Sequence, residues 1–82
     1  MRVRILYFAA VRELVGTDDE DLDLPANVQH VAHLAAWLEA HHPALQGRLA
    51  TVRFALDEDF VGLEAALHDG ATVALIPPVA GG

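Results

Sequence analysis

The sequence predicts an α+β domain: a mixed β-sheet covered on one face by one main helix. Three observations predict it. Two short segments of alternating apolar and polar residues open the chain, a single segment with helical apolar spacing follows, and further alternating segments complete it. At 82 residues the chain has room for one small core, and 54% hydrophobic against 21% charged residues marks it as globular rather than disordered.

The elements follow in order. Val3, Ile5 and Tyr7 alternate with Arg2, Arg4 and Leu6, which predicts a first strand with Val3, Ile5 and Tyr7 on the core face. Ala9 to Leu14 is long enough for a helical turn. Gly16-Thr17-Asp18 has turn chemistry, and Leu22 and Leu24 alternate with Asp21 and Asp23 in a second strand, antiparallel to the first. Pro25 stops that strand, and Asn27 is the expected N-cap of the helix, its side chain accepting from an orphan backbone N–H. Val28, Val31, Leu34, Ala35 and Leu38 form one apolar stripe, with Trp37 half-buried beside it and Pro43 closing the helix.

Val52, Phe54 and Leu56 alternate in a third strand, Asp57-Glu58-Asp59 turns the chain, and Phe60-Val61 begins a short fourth. Glu64 to Leu67 is expected to make a helical turn. Asp69-Gly70 leads into a last strand over Thr72–Ile76, which Pro77-Pro78 stops. Hairpin, helix and further strands in this order describe a β-grasp (ubiquitin-like) domain over residues 1–76, followed by an extended, flexible C-terminal tail over 77–82.

Composition excludes several functions. The chain has no cysteine, so disulfides, thiolate metal sites and thiol nucleophiles are ruled out, and any sulfur it handles is not on a side-chain thiol. Its net charge of −7 repels nucleic acid and anionic membranes and steers basic protein partners. No apolar run is long enough to span a bilayer or to resemble a signal peptide, so the expected location is the cytoplasm. All five basic residues are arginine. Protection of an activated acyl group from lysine amines and a compositional bias towards Ala and Arg both account for this.

The unusual chemistry is at the end, in Ile76-Pro77-Pro78-Val79-Ala80-Gly81-Gly82. Two prolines fix φ and remove two backbone donors, so the chain must leave the sheet as a stiff spacer. Gly81 and Gly82 have no Cβ and can thread a narrow channel. A terminal carboxylate, with an ordinary pKa of about 3.5, is ionised at neutral pH and able to attack the α-phosphate of ATP. The resulting acyl adenylate is electrophilic at Gly82, where a sulfur nucleophile displacing AMP leaves a thiocarboxylate. A frayed tail is the competing reading of Gly-Gly alone.

Two blocks carry a family resemblance: Leu6-Tyr7-Phe8-Ala9-Ala10-Val11-Arg12-Glu13-Leu14-Val15-Gly16, and Leu67-His68-Asp69-Gly70-Ala71-Thr72-Val73-Ala74-Leu75-Ile76-Pro77-Pro78-Val79-Ala80-Gly81-Gly82. With them the chain resembles the small subunits of molybdopterin synthase, in the ubiquitin-like sulfur-carrier family. The resemblance implies that a ubiquitin-activating-type adenylyltransferase uses ATP to adenylate Gly82, and that a sulfurtransferase supplies sulfur. It implies docking on the large synthase subunit in a heterotetramer, with Val79, Ala80, Gly81 and Pro77-Pro78 threading the tail into that subunit's active site. There the sulfur reaches cyclic pyranopterin monophosphate and builds the molybdopterin dithiolene. Catalytic side chains belong to the large subunit, and no cofactor is bound here. The resemblance also places an apolar docking face at Phe8, Phe60 and Ile76. Phe8 lies on the opposite strand face from Tyr7, and Ile76 is out of phase with Leu75, which agrees in part. Asp57 departs from the Asn that relatives often carry in that turn.

Other readings compete. A carrier serving thiamine or tRNA thiolation, a protein modifier conjugated through Gly82, and an interaction module with an inert tail share the same fold. His30, His33, His41, His42 and His68 lack a third ligand at suitable spacing, so no metal is expected. Glu20/Asp21 and Glu58/Asp59 are read as solvated charge.

Overall fold

A computed structural model of the chain describes residues 1–78. Strands β1 (Arg2–Tyr7) and β2 (Asp19–Asp23) are antiparallel, with Val3 opposite Leu22 and Ile5 opposite Glu20. Helix α1 (Ala9–Val15) connects them and ends at Gly16, whose φ of 90° supplies the left-handed cap that glycine adopts without a Cβ penalty. Helix α2 (Val31–His41) and a 3₁₀ turn at Pro43–Leu45 lead to β3 (Arg53–Leu56), β4 (Asp59–Val61) and β5 (Thr72–Ile76). The sheet order is β2-β1-β5-β3-β4, with β1 and β5 parallel at its centre and the other pairs antiparallel. This is the mixed-sheet α+β architecture expected from the element order.

One sheet face carries the core. Val3, Ile5 and Tyr7 from β1, Val73 and Leu75 from β5 and Phe54 from β3 are buried, as are Val31, Leu34 and Leu38 from α2. Of the expected stripe, Val31, Leu34, Ala35 and Leu38 face the core from α2, while Val28 is buried from the segment before the helix, and Trp37 is half-buried beside them. Tyr7 carries a hydroxyl into this interior, and its hydrogen bond to Glu20 Oε1 (2.6 Å) satisfies it. His42 Nε2 meets the same oxygen at 2.7 Å, so one carboxylate ties β1, β2 and the end of α2 together. Burial first, and then the Glu20 hydrogen bond and charge, push the Tyr7 phenol far above its ordinary pKa. Glu20 is thus not the solvated charge expected of it.

Two expectations about helices need correction. Asn27 is not the N-cap, because α2 begins at Val31 with His30 in the capping position and no side-chain cap bond. Tertiary pairing decides the start. Leu67 N–H donates to Gln29 O (2.8 Å) and His30 bridges Ala66, which holds residues 29 and 30 extended. The first donors of the helix then reach across the fold, Val31 N to Ala65 O at 3.0 Å and Ala32 N to Leu63 O at 2.9 Å. Backbone carbonyls thus do the work of a side-chain cap. For the same reason Glu64 to Leu67 is no helical turn: Ala65 O accepts from α2, Ala66 bridges His30 and Leu67 N–H donates to Gln29 O. A smaller correction concerns β3, where Ala55 is buried although it faces away from the core. In the ladder it stands between Ala74 and Phe60, and a methyl between cross-strand neighbours has little surface left to expose.

Asp57 and Glu58 join β3 to β4 with φ values of 49° and 76°, the left-handed pair that closes a two-residue hairpin. The Asp57 carboxylate accepts from Thr72 N–H (3.0 Å) and pairs with His68 Nε2 (2.6 Å), while His68 Nδ1 lies 3.0 Å from Asp69 O. With an acceptor at each ring nitrogen, the imidazolium form of His68 is favoured and its pKa is raised, chiefly by Asp57. Asp57 is held below its ordinary value, first by the Thr72 amide and then by His68.

Two outcomes are expected. Leu34→Ala removes a side chain with no solvent exposure and should cost about 2–5 kcal/mol, read by urea unfolding. That is a large part of the stability of a domain this small. The His68–Asp57 pair should give a pH signature. Because the folded His68 pKa is raised, its contribution is complete below about pH 6.5 and disappears as pH rises through the folded value. Because that of Asp57 is depressed, its contribution is complete above about pH 3.9 and disappears as pH falls through the folded value. Thermal unfolding of wild type and His68→Gln should therefore differ most between these limits and converge at alkaline pH.

Candidate functional site: the tail root and the outer sheet face

The parallel register between β1 and β5 pairs Tyr7 with Leu75, so both strands end at the same side of the sheet. Phe8 and Ile76 are the next residues, and Pro77-Pro78 lead the chain away beside them. Phe8 remains extended and Ala9 then turns with a φ of 48°, a left-handed conformation uncommon for a residue bearing a Cβ. This sharp turn closes β1 and starts α1 at the tail root.

The sheet face away from α2 is divided. Across one row of the ladder lie Asp19, Leu6, Ala74, Ala55 and Phe60. Phe8 and Ile76 extend the apolar part of that row towards the tail. Phe8 is 45% exposed and Phe60 56% exposed, two of the large apolar side chains most open to solvent, and Ile76 is half-buried. Arg53, opposite Ile76, lays its guanidinium 4.1 Å from the Phe60 ring centroid. The other end of this face is ionic, with Arg4 bound to Asp21 at 3.0 Å and Arg2 3.6 Å from Asp23. The Arg4 hydrogen bond, more than its charge, draws the exposed Asp21 carboxyl below its ordinary pKa.

A shallow groove of about 240 Å³ adjoins the tail root on the helix side, lined by Ala10, Val11, Leu14, Arg48 and Val52 together with Pro77 and Pro78. The structure therefore brings together Phe8, Phe60, Ile76, Pro77 and Pro78, all expected from sequence. Val79, Ala80, Gly81 and Gly82 lie outside the described residues. Sequence reasoning did not single out Arg48 and Arg53; their positions depend on the β3–β5 register and on the loop after α2. It also missed the Tyr7–Glu20–His42 cluster, although a tyrosine on a core face signals that a partner for its hydroxyl must exist.

Among the described residues, no group of three or more His, Asp or Glu side chains is placed to hold a metal ion. His30 and His33 touch edge to face, with centroids 5.0 Å apart, and His33 Nδ1 accepts from Gln29 N–H. Trp37 and His41 stack at 3.7 Å. His33 and His41 thus meet backbone groups near the two ends of α2. No helix among the described residues is long and apolar enough to cross a membrane.

The ThiS family profile matches residues 5–82. The chain belongs to the ThiS family. A molybdopterin synthase sulfur carrier subunit of Chlamydomonas reinhardtii is 39% identical over 84 residues, covering all of both chains. Among solved structures, SAMP1 from Haloferax volcanii superposes with a TM-score of 0.87 at 24% identity, covering all of both chains. A chain from the protein-protein complex of subunits 1 and 2 of the molybdopterin-converting factor of Helicobacter pylori gives a TM-score of 0.72 at 24% identity, again over both full chains. The two structural likenesses establish the shared fold.

The exposed aromatic residues are not needed by the core. Phe8→Ala and Phe60→Ala should each change unfolding free energy by about 1 kcal/mol or less, against the loss expected for Leu34→Ala. A cooperative urea transition shifted as far as that of the core variant would show that these rings are structural.

Proposed function

We propose that the chain is the sulfur-carrier subunit of a molybdopterin synthase, inactive by itself and acting through the Gly82 carboxylate. What supports this most is the full-length 39% identity to a protein of that name, joined to the geometry at the tail root. Exposed Phe8 and half-buried Ile76 stand where two prolines carry the chain off the sheet, and exposed Phe60 lies farther along the same face. Such a patch suits a partner that must grip the body of the carrier while the tail enters its active site.

The chemistry follows from the terminus. On an activating adenylyltransferase, the Gly82 carboxylate attacks the α-phosphate of ATP and pyrophosphate leaves. A sulfurtransferase persulfide adds to the Gly82 carbonyl carbon and AMP departs, and a thiol then cleaves the resulting acyl disulfide reductively, becoming a disulfide itself and leaving a thiocarboxylate on Gly82. In the cytoplasm the carrier then docks on the large subunit, two carriers to a central dimer. Val79, Ala80 and Gly81 thread the channel and the sulfur passes to cyclic pyranopterin monophosphate. Small side chains matter here because a channel narrow enough to exclude water admits little beyond backbone. The chain contributes position and a leaving sulfur, and the side chains that act on the pterin are the partner's.

Incubation with the activating enzyme, ATP and a sulfur source should exchange one oxygen of the chain for sulfur, seen by intact-mass spectrometry. Removal of Gly82 should abolish the exchange and leave the thermal midpoint unchanged. A terminus that stays a carboxylate under these conditions would refute the reading.

A further inference from the structure

The five arginines divide into two groups. Arg2, Arg4 and Arg12 each face the acidic β2 hairpin: Arg2 is 3.6 Å from Asp23, Arg4 is 3.0 Å from Asp21 and 3.8 Å from Asp19, and Arg12 is 3.7 Å from Asp18. Their charge is answered within the molecule. Arg48 and Arg53 have no carboxylate within ion-pair distance among the described residues. Both stand at the tail root, Arg53 opposite Ile76 in the sheet and Arg48 in the groove with Pro77 and Pro78. In a chain of net charge −7, the two arginines that pair with no carboxylate among the described residues thus flank the tail exit from its two sides.

We propose that Arg48 and Arg53 form a cationic collar that docks against carboxylates on the rim of the partner's tail-accepting channel. This rests on the proposed carrier function and specifies the chemistry of its partner surface. The direction is opposite to what net charge predicts, since a −7 chain would be steered to a basic surface. Two features support it. Arg53 adjoins the exposed apolar patch, between Ile76 and Phe60, so a partner seated there meets its guanidinium, and a partner that also takes in the tail meets Arg48 on the other side of Pro77 and Pro78. Arg53 is also restrained: its guanidinium carbon lies 4.1 Å from the Phe60 ring centroid, and a guanidinium held on a ring face keeps N–H donors free for a carboxylate. Polar rims of this kind set orientation and association rate around an apolar centre. Here the rim would orient the body of the carrier so that the tail points into the channel.

The test is binding of the large subunit of the matching synthase to full-length wild type, to the neutral double variant Arg48→Gln/Arg53→Gln and to the charge-retaining Arg48→Lys/Arg53→Lys, at about 50 and 200 mM salt. All three should unfold at similar temperatures, because both positions are exposed. The neutral variant should bind roughly tenfold more weakly at low salt and lose affinity less steeply as salt rises, while the lysine variant keeps the wild-type salt dependence. Unchanged affinity of the neutral variant, or tighter binding, would show that the rim is not acidic and overturn the proposal. Equal loss in the lysine variant with an unaltered salt slope would do the same, by assigning the effect to shape. Concentration-dependent self-association of wild type that the neutral variant lacks would mean that the acidic hairpin of a second copy fills the collar, which also overturns it. Wild type that fails to bind the large subunit at all would instead remove the carrier function on which the collar depends.

Discussion

The parallel pairing of β1 with β5 is the constraint on which the remaining architecture depends. Parallel neighbours cannot be joined by a tight turn, so the chain between them must cross over and return. Helix α2 lies in that crossover and covers one face, while β3 and β4 form the far edge. The same pairing brings the ends of both central strands to one side. Phe8 and Ile76 emerge together there, and the tail leaves from the middle of the sheet instead of from an edge. Antiparallel pairing of β1 and β5 would have put Phe8 and the tail root at opposite ends.

Charge is arranged to agree with this division. The edge strand β2 is lined with aspartates, and its ion pairs with Arg2 and Arg4, like that of Arg12 with Asp18 just before it, lie at exposed positions. Such pairs add little stability individually. Their effect is to make an unpaired edge a poor template for another strand. Sheet registration there relies more on the half-buried Glu20, which holds Tyr7 and His42, than on the exposed pairs around it. At the other end of the same face the charges thin out and apolar side chains are open to solvent, as a surface that must be covered by a partner requires.

Much of this was legible in the residues, for definite reasons. Strands announce themselves by a period of two and α2 by a period near 3.6, so Val3, Ile5, Tyr7, Leu34 and Leu38 were assigned to the core correctly. Proline and Asp-Gly punctuation located the ends of β2, α2 and β5. Phe8 and Ile76 were placed on the outer face by phase, Phe60 was named by the family resemblance alone, and the two prolines marked the exit. Where the reading failed, a distant partner had intervened. Asn27 has the right chemistry for a cap, yet the carbonyls of Leu63 and Ala65 reach the donors of α2 first. Glu64 to Leu67 has helical composition, yet its backbone is used in capping.

The sequence by itself determined the secondary-structure order, the single core and the tail of small residues, because these depend on side-chain size, polarity and spacing along one strand or helix. Only the tertiary structure decided where α2 begins, that Glu20 is shared by Tyr7 and His42, and that Arg48 and Arg53 flank the tail exit. Each of those depends on backbone hydrogen bonds and register between segments far apart in the chain, and local pattern carries no record of which distant group arrives.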